Sequence, residues 1–255
     1  GGTAEGEPLY RYYGYVVDHI IETQEQADNA MYDSSAKGYR PSDGKNIAGR
    51  KEIGDYEWKN REGSQTKDGK DYIDSQDQFL LGYTVPHSTG GLNNNFTYKN
   101  FTLNIFVDWA LGHSINNNSE MRYFMNTFAN NYTLIDEVKQ CWKQPGDNTK
   151  YARFTANDPD DGNANFSRTS NVFNYKGDYL CIREISLQYN VPTNKLTKLG
   201  IQNLAITLAG NNLHYFTAVK GVSPEVGAST TYNKDYYNYP CLLYTSPSPR
   251  DMRRS

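Results

Sequence analysis

Long hydrophobic runs are missing from this sequence of 255 residues, of which only 37% are hydrophobic. No apolar stretch reaches the roughly 18 residues that a membrane-spanning helix needs, so transmembrane helices are excluded. Membrane-spanning β-strands are not excluded, because they alternate apolar residues with polar ones. The scarcity of apolar residues therefore removes one class of membrane protein and leaves another open.

The sequence also has few cysteines and no excess of basic residues. The three cysteines, Cys141, Cys181 and Cys241, lie far apart and form no CxxC pair, which predicts neither a disulfide framework nor a zinc site. The net charge is −3 and the basic residues are scattered, so no nucleic-acid partner is indicated. The four histidines lie beside no nucleophile or carboxylate at a catalytic spacing, and we therefore predict no enzyme.

Three segments alternate apolar and polar residues in the manner of β-strands, namely 101–109, 179–191 and 204–208. In 179–191, strict alternation places Tyr179, Cys181 and Arg183 on the same face as Ile185 and Leu187. A soluble or surface-attached β-sandwich that binds glycans would show the same alternation. The alternation alone favours such a sandwich.

The connections between these segments shift the balance toward a barrel. Segments 96–101 and 191–201 are short, whereas 20–84 and 114–176 are long and rich in polar residues. Outer-membrane barrels join their strands by short periplasmic turns and long extracellular loops, which compact soluble domains rarely tolerate. The predicted fold class is therefore all-β, with antiparallel strands forming a partial, open transmembrane β-barrel. Apolar residues at near-helical spacing in 119–142 predict short helices within one long loop.

Several ordered phrases between about residue 6 and residue 240 match those of one known family. Residues 177–192 read GDYLCIREISLQYNVP, similar to the family phrase sYLRlknitLgYtlP. Residues 210–225 are similar to NLltfTkykG.DPE, and 6–14 and 98–103 match further phrases. The chain thus resembles the SusC/RagA family of TonB-linked outer-membrane transporters.

The resemblance implies a localisation, a cargo and partners. Residues 1–240 would form the C-terminal part of an outer-membrane barrel of about 22 strands with a plug. Such a protein imports glycans, oligosaccharides or peptides together with a SusD-like surface lipoprotein, and it is driven by TonB. The fragment would form barrel wall in contact with membrane lipid, together with extracellular loops. A β-rich glycoside hydrolase is a further alternative, which would require two carboxylates across a cleft.

The last fifteen residues depart from the family pattern. Residues 241–255 read CLLYTSPSPRDMRRS and resemble the translation of a sequencing adapter. Pro247 and Pro249 could not lie in a paired central strand, because proline has no amide hydrogen to donate. We therefore expect 241–255 to be a non-native tail and the final barrel strand to be missing.

One phrase bears on metal binding. Residues 66–77, TKDGKDYIDSQD, resemble an EF-hand-like phrase of the family, which would make Asp68, Asp74 and Asp77 calcium ligands. The resemblance is incomplete, since Thr66 and Lys70 occupy ligand positions, Asp71 replaces the turn glycine, and no bidentate glutamate is present. A solvated polar turn is the preferred interpretation. Calcium is the one candidate ion, and no other cofactor is predicted.

Aromatic residues in the long loops are the candidates for substrate contact, because their rings can stack on sugar rings. They are Trp142, Tyr151, Tyr232, Tyr236 and Tyr237. Trp109 and Tyr189, near strand ends, suit the aromatic girdles of a barrel instead. Among the strand residues, Asn104, Asp108, Glu184 and Gln188 are expected to face the lumen.

Overall fold

A computed structural model describes residues 5–7, 10–36, 39–40, 45–46, 49–61, 66–67, 70–126, 134–158, 163–192, 200–219 and 223–225. These residues form two compact units. The loop unit contains the described residues before Val85 and those of 114–175, and the sheet unit contains those of 85–113 and 176–225. The predicted tail, 241–255, lies outside the described residues.

Strands dominate both units. In chain order they are β1 Arg11–Gly14, β2 Val17–Ile20, β3 Tyr32–Asp33, β4 Tyr39–Arg40, β5 Lys45–Asn46, β6 Tyr56–Trp58, β7 Thr66–Lys67, β8 Lys70–Ile73, β9 Phe79–Tyr83, β10 Ser88–Tyr98, β11 Phe101–Leu111, β12 Ser114–Asn116, β13 Asn174–Lys176, β14 Tyr179–Asn190 and β15 Ala205–Thr217. The helices are α1 Gln24–Asn29 and α2 Asn118–Met125, with 3₁₀ turns at Ser75–Asp77, Asp136–Gln140 and Asn171–Phe173. None of the helices among these elements is long and apolar enough to cross a membrane.

The sheet unit is a single antiparallel sheet in the order β10-β11-β14-β15. Strands β10 and β11 form a hairpin whose turn is Lys99-Asn100, with Lys99 at a φ of 54°. Two-residue turns with positive φ match the right-handed twist of the strands that they join. Strand β11 then pairs along its length with β14, and β14 pairs with β15.

The predicted antiparallel strands are confirmed, with two corrections to their extent. Residues 96–98, predicted as part of a connection, end an eleven-residue strand, β10. Its run of glycine and asparagine weakens the strand signal in the sequence. Strand β15 reaches Thr217, beyond the alternating segment 204–208 from which it was predicted. The long segments 20–84 and 114–176 contain short strands of their own. In the expected helical region 119–142, the described residues include most of α2 and the 3₁₀ turn Asp136–Gln140.

The loop unit has a closed aromatic core. Trp58, Phe124, Phe166 and Phe173 are each no more than 2% exposed and pack against one another or against Tyr56. Such rings bury about 150–250 Å² each and dominate the energetics of a core. The surrounding chain is irregular, so the rings hold together segments that share little regular secondary structure.

Candidate functional site

One face of the four-stranded sheet carries apolar side chains that are open to the surroundings. Its register gives five rows across β10, β11, β14 and β15. The rows are Tyr98-Phe101-Tyr189-Ile206, Phe96-Leu103-Leu187-Leu208, Asn94-Ile105-Ile185-Gly210, Leu92-Val107-Ile182-His214 and Gly90-Trp109-Leu180-Phe216. Leu208 is 76% exposed, Ile206 60% and Phe96 59%. We call this surface the apolar face.

The chemistry of the apolar face changes along the strands. Both outer rows hold aromatic rings, and the rings of Phe101 and Tyr189 lie 4.7 Å apart between centroids. At the other end the Trp109 ring packs against β10, where a Cβ on Gly90 would be 2.3 Å from its Cζ2 atom. The rows span about 27 Å along the strand at roughly 3.4 Å per residue. Aromatic rims around an aliphatic band are typical of sheets in contact with a bilayer.

The opposite, polar face is organised by one arginine. Arg183 donates from Nε to Asp108 Oδ1 over 3.0 Å and from Nη2 to Asp108 Oδ2 over 2.6 Å. It also donates to Asn212 Oδ1 over 2.8 Å, to the Tyr215 hydroxyl over 3.1 Å and to Glu225. The bidentate geometry is the strongest arrangement of an arginine with a carboxylate. Arg183 therefore joins β11, β14, β15 and the segment after β15; we call this group the arginine cluster.

Two facing bulges place Arg183 on the polar face. The register of β14 shifts at Arg183 against both neighbouring strands, and on β15 the same irregularity lies at Asn212, whose φ is 50°. A bulge inserts an unpaired residue, so the alternation of side chains changes phase across it. Strict alternation therefore failed here: Tyr179 and Cys181 share a face with Arg183, whereas Ile185 and Leu187 lie on the apolar face. The Gly210-Asn-Asn212 run was the available signal, since asparagine tolerates positive φ.

Lumen-side residues predicted from the sequence lie on the polar face as expected. Asp108 binds Arg183, and Asn104 Nδ2 donates to Glu184 Oε1 over 3.5 Å. Gln188 Nε2 donates to Asn190 Oδ1 over 2.8 Å. Asp108 and Asn104 thus pair across neighbouring strands, whereas Gln188 pairs within β14.

The loop unit holds a second polar cluster, centred on the buried carboxylate of Asp55. Arg153 Nε and Asn165 Nδ2 donate to Asp55 Oδ1 over 2.6 and 2.9 Å, and Asn163 donates to Oδ2. Nearby Asp158 is fully buried and accepts the Phe166 amide over 3.1 Å. Burial raises the pKa of Asp158 to about 7, opposed by backbone hydrogen bonds to its carboxylate. This network joins residues 52–56 to 153–166.

Tyr151 lies in the core of the loop unit, not on an open loop surface. It is 5% exposed, its ring stacks on Phe124 at 4.3 Å between centroids, and its hydroxyl donates to Glu120 over 3.2 Å. Burial, followed by the charge of Glu120, raises the pKa of this phenol. Tyr175 donates to the same carboxylate over 2.7 Å. Tyr151 therefore has no open ring face for a sugar, and its position does not support the predicted substrate contact.

Trp142 is half-buried, and its backbone amide donates to the Tyr151 carbonyl over 2.9 Å. Its ring packs against Gly54, where an added Cβ would lie 2.5 Å from Cε3. Its role in substrate contact stays a prediction. Tyr232, Tyr236 and Tyr237 lie outside the described residues.

The candidate calcium ligands Asp74 and Asp77 form a turn. Asp77 is buried, and its two oxygens accept the amides of Arg61 over 2.9 Å and Asp74 over 2.8 Å. Asp74 accepts the Gln76 amide over 2.6 Å, so the two carboxylates cap the 3₁₀ turn Ser75–Asp77 reciprocally. Asp68 lies outside the described residues. No group of three metal-binding side chains is found among the residues that the structure describes, and the calcium site remains a prediction.

Sequence comparison identifies relatives of one kind. No protein-family model matches the chain. TonB-dependent receptor P3 of Formosa agariphila is 28% identical over 181 residues, which is 68% of this chain and 17% of the receptor. TonB-dependent receptor P39 of the same organism is 28% identical over 171 residues, 64% of this chain and 16% of the receptor. The chain thus spans about one sixth of the length of these relatives, both of which are receptors.

Solved structures with a similar fold agree with this relationship. The structure of the RagAB peptide transporter superimposes with a TM-score of 0.56 at 17% identity, covering 90% of this chain and 21% of the matched one. The RagAB peptide importer in its closed-closed state gives 0.54 at 16% identity over the same shares. The wall of a transmembrane β-barrel requires a sheet whose exposed apolar face is bordered by aromatic rings. The chain is therefore similar in sequence to TonB-dependent receptors and similar in fold to part of the RagAB transporter, and these similarities place it in the outer membrane.

Proposed function

We propose that this chain forms part of the wall and extracellular loops of an outer-membrane transporter that imports oligosaccharides or peptides. The observation that carries the proposal is the four-stranded sheet, because its apolar face is exposed while its reverse carries the arginine cluster. A wall between lipid and an aqueous lumen needs this division of polarity. The chain binds and guides its cargo without chemistry.

The proposed partners follow from the relatives. TonB would supply the energy for import, because the matched receptors are named as TonB-dependent. A SusD-like surface lipoprotein would cover the extracellular side, and lipid would contact the apolar face. Peptide is a candidate cargo because the structural neighbour is a peptide importer, and oligosaccharide because the loops are rich in aromatic and amide side chains.

Uptake by intact cells tests this proposal. The full-length gene is deleted from its host and restored on a plasmid, and uptake of fluorescently labelled oligosaccharides and peptides is measured. We expect deletion to abolish uptake of one cargo class and the plasmid to restore it. A protonophore should abolish uptake in the restored strain, because TonB draws on the proton-motive force.

Two results would overturn the proposal. Equal uptake of both cargo classes by the deletion and parent strains would contradict the proposed import function. Recovery of the protein from the soluble fraction, instead of the outer-membrane fraction, would contradict the proposed role as a barrel wall. Co-purification of a surface lipoprotein with the tagged transporter tests the partner separately.

A further inference from the structure

The loop unit contains a polar cleft of about 440 Å³ that is formed by a single segment, 139–150. Lys139, Lys143 and Lys150 line it, together with one carboxylate, Asp147. Three lysines and one carboxylate thus belong to the lining of the cleft.

The floor and the ends of the cleft are anchored in the core. Cys141 is 5% exposed and belongs to the aromatic core cluster. The Trp142 amide donates to the Tyr151 carbonyl over 2.9 Å, and the Thr149 hydroxyl donates to the Gln140 carbonyl. These bonds close the segment into a loop, so its side chains are presented from a fixed backbone.

The single carboxylate of the cleft is already used by the backbone. Asp147 Oδ2 accepts the amides of Lys143 and Gln144 over 2.9 and 3.0 Å. It therefore holds the turn at the tip of the loop. Its charge and that of Asp136, which pairs with Lys139, offset only part of the positive charge of the three lysines.

The lysines differ in how firmly they are held. Lys150 Nζ lies 4.6 Å from the centroid of the Tyr151 ring and 5.3 Å from that of Tyr175. Lys139 pairs with Asp136 over 2.6 Å, but both side chains are largely exposed, at 78% and 88%. An exposed pair of this kind contributes little and can exchange partners. An incoming anion can therefore compete with Asp136 for Lys139, whereas Lys150 is held by the two rings and by the Val172 carbonyl, to which its Nζ donates over 3.4 Å.

We propose that this cleft is a binding subsite for an oxyanion group of the imported cargo, either a carboxylate or a sulfate. The inference rests on the proposed import function and adds the charge class of the cargo to it. An acidic sugar and an acidic peptide share this chemistry. Neutral sugars lack the group that the ammonium ions select, so they gain nothing from the cleft.

Calorimetric titration of the full-length protein in detergent tests the subsite. The probes are a uronic-acid tetrasaccharide, a tetraglutamate peptide and the neutral maltotetraose, each at low and high salt. We expect one acidic probe to bind and to weaken at high salt, because exposed charge pairs are screened. Binding of the uronic acid alone identifies a sugar cargo, and binding of the peptide alone identifies a peptide cargo.

Variants locate the binding. The double variant Lys139→Gln and Lys143→Gln leaves the packed Lys150 in place and should weaken acidic-probe binding by about tenfold, at roughly two- to fivefold for each exposed charge contact. Lys59→Gln removes an exposed lysine of the same unit outside the cleft and should bind like the natural protein. Circular dichroism confirms that both variants fold.

The inference is overturned if neither acidic probe binds better than maltotetraose, or if the double variant binds like Lys59→Gln. The titration needs neither TonB nor a membrane potential. If the acidic probes do not bind but cells still take up the cargo, only the subsite is contradicted. If the acidic probes bind but cells take up no cargo, only the import function is contradicted.

Discussion

The loop unit and the sheet unit place their apolar residues in opposite ways. In the loop unit the largest side chains, such as Trp58 and Phe124, are almost completely buried. In the sheet unit Leu208 and Phe96 are mostly exposed. An exposed apolar surface of this size is a liability in water, but lipid removes the penalty. The comparison shows that the loop unit buries its apolar side chains away from water, whereas the sheet unit exposes them in a way that suits lipid.

Truncation of a core ring should have the largest effect on stability. Its result should also distinguish the buried rings of the loop unit from the exposed rings of the sheet unit. Phe124→Ala removes a fully buried ring and should lower the free energy of unfolding by about 3–5 kcal/mol. Phe96→Ala removes the same atoms from the apolar face, and we expect less than half that loss, because the ring contacts lipid. Urea unfolding of the full-length protein, followed by tryptophan fluorescence, compares them. Equal losses would show that the apolar face is buried against protein.

A charge placed on the apolar face should have the second-largest effect on stability. Ile105→Arg lies in the middle row and should destabilise the folded barrel by about 2–4 kcal/mol, because an arginine at the bilayer midplane is poorly solvated. Asn104→Arg is the matched control, since its side chain points to the polar face near Glu184. The folded fraction is read as the heat-modifiable band on gels. If Asn104→Arg were the more harmful change, the two faces would have to be exchanged.

Loss of the arginine cluster should have a smaller effect. Arg183→Gln leaves Asp108 without its bidentate partner and should cost about 1–2 kcal/mol, less than for a fully buried pair. The side chains of this pair keep 25% and 21% of their exposure, which reduces the penalty. Adding Asp108→Asn should recover part of the loss, and a double-mutant cycle measures the coupling. Strictly additive losses would show that the pair contributes nothing.

The loop unit should respond to pH through Asp158. Its folded-state pKa is raised to about 7, above the unfolded value of about 3.9. The protonated form is therefore favoured by folding, and stability from this group is complete below pH 4 and lost as pH rises through 7. Asp158→Asn, which stays neutral, should flatten this part of the stability profile between pH 4 and 8. Parallel melting-temperature profiles for variant and natural protein would contradict the assignment.

Calcium should have the smallest effect. Because both oxygens of Asp77 already accept backbone amides, we expect millimolar calcium to leave the melting temperature unchanged. Magnesium serves as the matched ion, and Asp77→Ala, which removes both acceptor oxygens, shows the cost of losing the turn, about 0.5–2 kcal/mol for a cap. A rise in melting temperature with calcium but not magnesium would support the predicted site at Asp68, Asp74 and Asp77.

The fold class was predictable because its signals are local. The alternation in β11 and the contrast between short and long connections follow from side-chain period and loop length. The helical spacing of 119–142 indicated α2, whose N-cap Asn117 accepts the Glu120 amide over 3.0 Å. The candidate site was less predictable. Tyr151 was expected at a surface and lies in the core, because whether a loop aromatic is buried depends on distant segments such as 118–125 and 171–173.

By itself the sequence determined that this is a β-protein with polar loops and no membrane-spanning helix, since composition and alternation need no distant partner. Only the tertiary structure decided which face each residue of β14 occupies. The facing bulges at Arg183 and Asn212 reverse the alternation halfway along the strand, and a phase change depends on the neighbouring strands. The same holds for the arginine cluster, whose members are far apart in sequence and meet because the register of three strands brings them together.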